Sequence, residues 1–276
     1  MIASDTPPQT AFSNPMTHML SNAPGLTRAG LAMALLIPPL LLTQSIDPRL
    51  FQGINVWIKP LKFAVSLSVY LLTLAYFSYL LPKGFLQRRP VQVFHGVVFF
   101  CIAIEMLWIG GAAMYGVGSH FNVADPIMGT IYGIMGIAAV TLTSATLVHG
   151  TAIWRLHGKP FPRLVAASFV LTFVLTVPTA GYMSSSVGHH VGTVTSDAQG
   201  LWLLGWAREV GDLRVAHFFA THAMQILPAC MAILLWLAGA RLPRGTGAVL
   251  CVSFSALTFG TLIQAINGQP FLPWLT

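Results

Sequence analysis

Residues 91–114 read VQVFHGVVFFCIAIEMLWIGGAAM. Apolar side chains fill this stretch without the alternation that a half-buried strand would show. A helix that crosses the roughly 30 Å hydrocarbon core of a bilayer needs about 20 such residues, and this run supplies them. Six further runs of the same kind follow the same logic, at about 27–46, 60–81, 127–153, 163–183, 214–238 and 247–266. In lipid only helices or closed barrels satisfy every backbone polar group, and these segments are too long and too evenly apolar for barrel strands. The expected fold is an all-α integral membrane protein, a seven-helix bundle. Composition agrees: of 276 residues, 55% are hydrophobic and 8% charged, against about 25% charged in a soluble domain.

The charges set an expected orientation. The loops after the second, fourth and sixth spans carry Lys83, Arg88 and Arg89, then Arg155, Lys159 and Arg163, then Arg241 and Arg244, and no acid. The alternate loops hold Asp47, Asp125, Asp197, Glu209 and Asp212. By the excess of bases on cytoplasmic loops, the N-terminus is expected inside and the C-terminus outside, in a bacterial inner membrane. Arg28, before the first span, agrees. The net charge of +7 then belongs to topology and lipid headgroups rather than to nucleic acid. Residues 1–25 lack the basic and apolar regions of a signal peptide and read as a loose tail, or as a short surface segment around Met16 to Leu20. Residues 26–276 form a single transmembrane domain. The 184–213 connection is the longest, and with anchors such as Trp202 and Trp206 it is expected to fold over the outer mouth as a lid. Prolines 38, 39, 178 and 228 fall within spans, where kinks are tolerated.

Ionisable groups inside spans are costly and mark candidate function. GDLRVAHFFATHAMQ (211–225) opens the sixth span with Asp212, Arg214, His217, His222 and Gln225. Asp212 suits an N-cap. Arg214 suits a headgroup anchor or a clamp for an anionic ligand. His217 and His222 lie five apart, about 140° on a regular helix, so they share one metal only through a π-bulge. Glu105 and His222 sit at similar depth in the outer half; Glu105 either handles a proton or ligates, or is a buried carboxylate paired structurally with Lys62 or a histidine. Lys62 either snorkels or lines a cavity with Ser66 one turn below. His120, His189 and His190 approach from the outer loops. Together these groups outline an outer-facing polar cavity, with Glu105, Lys62 and Arg214 as candidate catalytic groups and His120, His189, His217 and His222 as candidate metal ligands. On the inner side, His95 and His149 stand at one level on consecutive spans, the placement of bis-histidine haem ligands or of two unrelated interfacial histidines. His18 and His157 read as surface residues.

Several classes drop out. The last span has no lysine for a retinal Schiff base, and no phosphate-loop, dinucleotide, HExxH or GxSxG motif occurs. Cys101, Cys230 and Cys251 lie in apolar runs and form no CxxC pair, so they read as buried small hydrophobes.

The stretches NVWIKPLKFAVS (55–66), GSHFN (118–122) and GDLRVAHFFATHAMQ (211–225) together resemble an uncharacterised family of bacterial multi-spanning inner-membrane proteins. That resemblance covers most of the spans and implies a membrane protein of this shape, with no activity attached. A looser similarity is to the alkaline ceramidase and progestin-receptor superfamily of seven-span zinc hydrolases, in which His120, Asp125, His217, His222 and Ser66 would be ligands or their partners. The departure is the histidine spacing, one helical turn there and five residues here.

Three functions follow as expectations. The first is a membrane redox protein with haem b or a transition metal, held by His95 and His149 inside and by His222 with His120, His189 or His217 outside. The second is a zinc-dependent hydrolase of a lipid-like substrate at the outer leaflet, with Glu105 or an outer Asp as base. The third is a proton-coupled transporter or sensor for a small molecule from the periplasmic side, using Lys62, Arg214 and Glu105.

Overall fold

The computed structural model describes residues 14–193, 196–201, 204–238 and 242–275. Nine α-helices are described. They are α1 (Pro15–Asn22), α2 (Pro24–Leu35), α3 (Ile37–Ile46), α4 (Ile58–Tyr76), α5 (Arg89–Tyr115), α6 (Pro126–Leu156), α7 (Pro160–Ser185), α8 (Leu213–Leu237) and α9 (Thr246–Ile266). With α2 and α3 joined as one segment and a 3₁₀ turn (Phe77–Leu80) extending α4, seven of these are long and apolar enough to cross a membrane. The chain is a helical membrane bundle, and its exposed apolar side chains, such as Leu107, Ile137, Trp236 and Val252, fit contact with lipid.

Local chemistry sets the ends. Pro38 and Pro39 fill the first helical positions of α3, where the missing N–H costs nothing, so the first span breaks at Leu36. α5 stops at Gly116, whose φ of 70° is the left-handed stop that glycine takes readily. The Asp125 carboxylate accepts from the N–H groups of Ile127 and Met128 and caps α6. Asp212 accepts from the Arg214 N–H and caps α8, as its position implied. Pro178 and Pro228 lie inside α7 and α8, which continue past them.

Consecutive spans run antiparallel, so the connections fall on two faces. On one, here the loop face, lie the hairpin β1 (Leu50–Phe51)–β2 (Ile54–Asn55), residues 116–125 and the 186–212 connection. Gln52 and Gly53 both have positive φ, as a two-residue type I′ turn requires. The long connection is tied down: β3 (His190–Val191) pairs with β4 (Gly211–Asp212), and the Asp197 N–H donates to the Gln52 carbonyl at 2.9 Å. Trp206 is buried among Phe218, Phe219 and Phe271. The described part of 184–213 therefore lies over the helix ends. Trp202 and Arg241 lie outside the described residues.

The opposite face closes on apolar packing. Leu67, Leu71 and Leu74 of α4, Val98 and Ile102 of α5, Ala145 and Ile153 of α6, Phe169 of α7 and Met224 of α8 form one buried cluster. It seals the lower half of the bundle beneath the polar groups of the loop face. A second cluster joins α7, α8 and α9 through Leu164, Leu175, Leu227 and Phe254.

Three expectations about surface position need correction. Residues 15–22 are helical rather than loose, and His18 and Met19 on that helix are buried. The His18 ring packs edge-on against Tyr79, at 5.7 Å between centroids, because α1 folds back against the end of α4. His157 is buried as well, and its Nε2–H donates to the Leu80 carbonyl at 2.8 Å, closing the opposite face. Residues 1–13 lie outside the described residues.

Candidate functional site

Three groups of polar side chains are distinguishable. The first lies in the loop-face connection and centres on Arg214. Its guanidinium donates to both Asp212 carboxylate oxygens, at 2.9 Å to Oδ1 and 2.6 Å to Oδ2. It also donates to Asp197 Oδ1 at 2.7 Å and to the Gly205 carbonyl at 2.8 Å. Asp197 Oδ1 further meets Nε2 of His189 and of His190, each at 3.3 Å. Burial opposes charge on Asp197, but the hydrogen bonds from His189 and His190 and the Arg214 charge overcome it and hold the carboxyl below the usual range. Burial similarly opposes Asp212, and Arg214 holds its carboxyl low. Arg214 is thus committed to two carboxylates, and it straps the connection to the top of α8 instead of presenting a free anion clamp. Lys62 behaves in the same way: from the exposed side of α4 its Nζ donates to the Leu204 carbonyl at 2.9 Å. Ser66, one turn below, is exposed on α4 beside Val65 and Val69 and does not line the polar groups.

His189, His190 and Asp197 are also the only described trio of His, Cys, Asp or Glu ligand atoms within 4.8 Å of one another. A metal fits poorly there, because the shared oxygen already accepts from a guanidinium whose charge would face the ion. His120, His217 and His222, expected as ligands with His189, do not join such a group. α8 is a regular α-helix across 217 and 222. The five-residue spacing therefore keeps their bearings apart, and no π-bulge realigns them.

The second group lies beneath the connection. Glu105 is buried, about 15 Å below the loop-face end of α5 by helix rise, and neither carboxylate oxygen has a hydrogen-bond partner. His222, about 13 Å below the start of α8, stands at matching depth. Lys59, in the first turn of α4, is within electrostatic reach of Glu105, Arg214 and Asp197, and its ammonium forms no hydrogen bond or ion pair with the described residues. His120 reaches toward both Lys59 and His217, and burial together with the Lys59 charge takes its imidazole down to about 3, so it is neutral. Its ring packs at 6.0 Å from Phe63 and 5.7 Å from Tyr132. His217 neighbours His222 and, across on α7, Thr179. Lower down, Gln225 donates to Thr73, joining α8 to α4 directly. Lys59 is not among the groups that the sequence singles out, because a span that starts at Pro60 leaves it just outside. The signal was present in IKPLK, where two lysines three apart enter one apolar run.

The third group is the His95–His149 pair on α5 and α6. Both are buried, and their Nε2 atoms lie 3.0 Å apart, a direct hydrogen bond. The centroid separation is 5.2 Å, and Phe85, Phe94 and Phe99 pack around the rings. Gly150 brings α6 close to α7, since a Cβ there would meet the Ala166 carbonyl oxygen at 2.8 Å. The two residues are neighbours, as their common level implied. A metal held between opposed imidazoles at about 2.0 Å from each nitrogen would need about 4 Å between them. The bonded rings leave no room for a haem plane, so the donors are present but the geometry does not fit that cofactor.

No family model matches the chain, and no match was found among curated proteins or solved structures.

Proposed function

We propose that the protein is a solute-binding membrane protein that admits a small molecule from the loop face and couples its binding or passage to a proton on Glu105. The observation carrying this reading is the Glu105 carboxyl, buried with both oxygens unpartnered. A carboxyl in that state requires a proton, a cation or a hydrogen-bonding ligand, and the described chain supplies none within bonding distance. Lys59, likewise unpaired, stands within its electrostatic reach. The arrangement, polar on the loop side and closed by apolar packing below, supports access from the loop face rather than from the opposite one. The distribution of basic loops supports the loop face as periplasmic, with the N-terminus inside and a bacterial inner membrane as the location.

The redox reading has less support, because His95 and His149 bond to each other. The hydrolase reading lacks a ligand trio among His120, His217 and His222. The test is solute-driven proton movement in proteoliposomes carrying a pH-sensitive dye, with a panel of amines, amino acids, carboxylates and sugars. Proton flux with at least one solute is expected, and Glu105→Gln abolishes it. Flux unaffected by Glu105→Gln, or no response to any solute, overturns the proposal.

A further inference from the structure

The hydrogen bonds around the second group fix which of its atoms remain unused. The Thr179 hydroxyl donates to the Leu175 carbonyl at 2.9 Å, so its oxygen can only accept from His217 Nδ1 at 3.4 Å. His217 therefore carries its proton on Nδ1, and its Nε2 is a bare lone pair. His222 Nδ1 lies 2.8 Å from the Phe218 carbonyl, which only accepts, so Nδ1 is again the N–H and Nε2 is bare. Thr221, 3.1 Å from the same Nδ1, spends its own proton on the His217 carbonyl and agrees with this tautomer. The Thr73 hydroxyl donates to the Val69 carbonyl at 2.7 Å. It must accept from the Gln225 amide nitrogen at 3.3 Å, which leaves Gln225 Oε1 buried with no donor. Both Glu105 oxygens are in the same state.

The second group is thus rich in acceptors without donors: Glu105, Gln225 Oε1 and the Nε2 atoms of His217 and His222. Its cationic donor, the Lys59 ammonium, has no partner among the described residues. Glu105, His217 and His222 do not bring three ligand atoms within 4.8 Å of one another, so these three do not form a compact metal site. They suit a molecule with several N–H groups. A cation alone would leave Lys59 unpaired and add charge to a buried region, whereas a molecule carrying both signs satisfies Glu105 and Lys59 together. Phe218, stacked on His222 at 4.1 Å, and Phe63 supply aromatic surface beside an ammonium.

Resting on the solute-binding reading above, we infer that the ligand is a small zwitterionic amine. Its ammonium donates to Glu105 and to the bare acceptors of α8, and its anionic end pairs with Lys59. The test is calorimetric titration of the detergent-purified full chain with matched probes: ω-amino acids of two to six carbons, the corresponding alkylamines and the corresponding alkyl carboxylates. One of the ω-amino acids is expected to bind about tenfold or more tightly than its matched amine or carboxylate. Glu105→Gln weakens that amino acid and its matched amine. Lys59→Met weakens the amino acid by a similar factor and leaves the amine unchanged, which also shows that the variant is folded. A carboxylate that binds as tightly as the amino acid and is indifferent to Glu105→Gln overturns the amine assignment but not the site. No binding by any of the three classes overturns both.

Discussion

Replacing Asp197 by alanine isolates the strap over the loop face. The change removes one Arg214–carboxylate bond of 2.7 Å and the two 3.3 Å contacts from His189 and His190. It leaves Arg214 bound to Asp212 through both oxygens, so no buried charge becomes uncompensated. The cost is therefore that of a charge-assisted hydrogen bond, about 1.5–3 kcal/mol, rather than the roughly 3–5 kcal/mol of a broken buried pair. A loss of about 2 kcal/mol raises the open fraction of the strap about thirtyfold. Native-state hydrogen exchange reads this directly. The Leu201 N–H bonded to the Trp206 carbonyl, the Gly205 N–H bonded to the Leu201 carbonyl and the Leu213 N–H bonded to the His189 carbonyl should exchange about thirtyfold faster. Amides of α4 and α5 should keep their rates. Arg214→Leu, which strands two carboxylates, should exceed Asp197→Ala. Unchanged exchange at these loop amides in Asp197→Ala, or equal acceleration throughout the bundle, would refute a local strap.

Two further outcomes are expected. Burial lowers the histidine pKa at positions 189 and 120. The unfolded rings take up protons near pH 6.5 while the folded ones resist, so their contribution is complete above that pH and is lost as pH falls. Asp197 and Asp212 are held low, and their contribution is present above about pH 3.9 and declines below it. Protection factors of the loop-face connection, that is exchange corrected for its base-catalysed intrinsic rate, should fall from pH 7 to pH 4, and a flat protection profile would contradict this. For the inner pair, His95→Leu and His149→Leu should each lower stability by about 1–3 kcal/mol by stranding a buried nitrogen, and the double variant should cost less than the sum. Additive losses, measured as unfolding midpoints in denaturing detergent, would mean that no bond joins the rings.

Seven spans, the Asp212 cap and the matching depths of Glu105 and His222 were determined by the sequence alone. Transfer into lipid sums over consecutive residues, and helix rise converts sequence number into depth, so neither needs a neighbour. The five-residue spacing also placed His217 and His222 on different bearings of a regular helix, and α8 is regular there. Only the tertiary structure decided which polar groups meet. Arg214 meets Asp197 across the folded connection, Lys62 meets a carbonyl 142 positions away, and His95 meets His149 across 54. Those pairings depend on helix rotation and loop path, which hydropathy does not encode. For the same reason hydropathy does not mark Lys59 at a span boundary, nor the burial of His18 and His157. What remains unpartnered among the described residues after such pairings, Glu105 and Gln225 Oε1 included, is visible only in the folded chain.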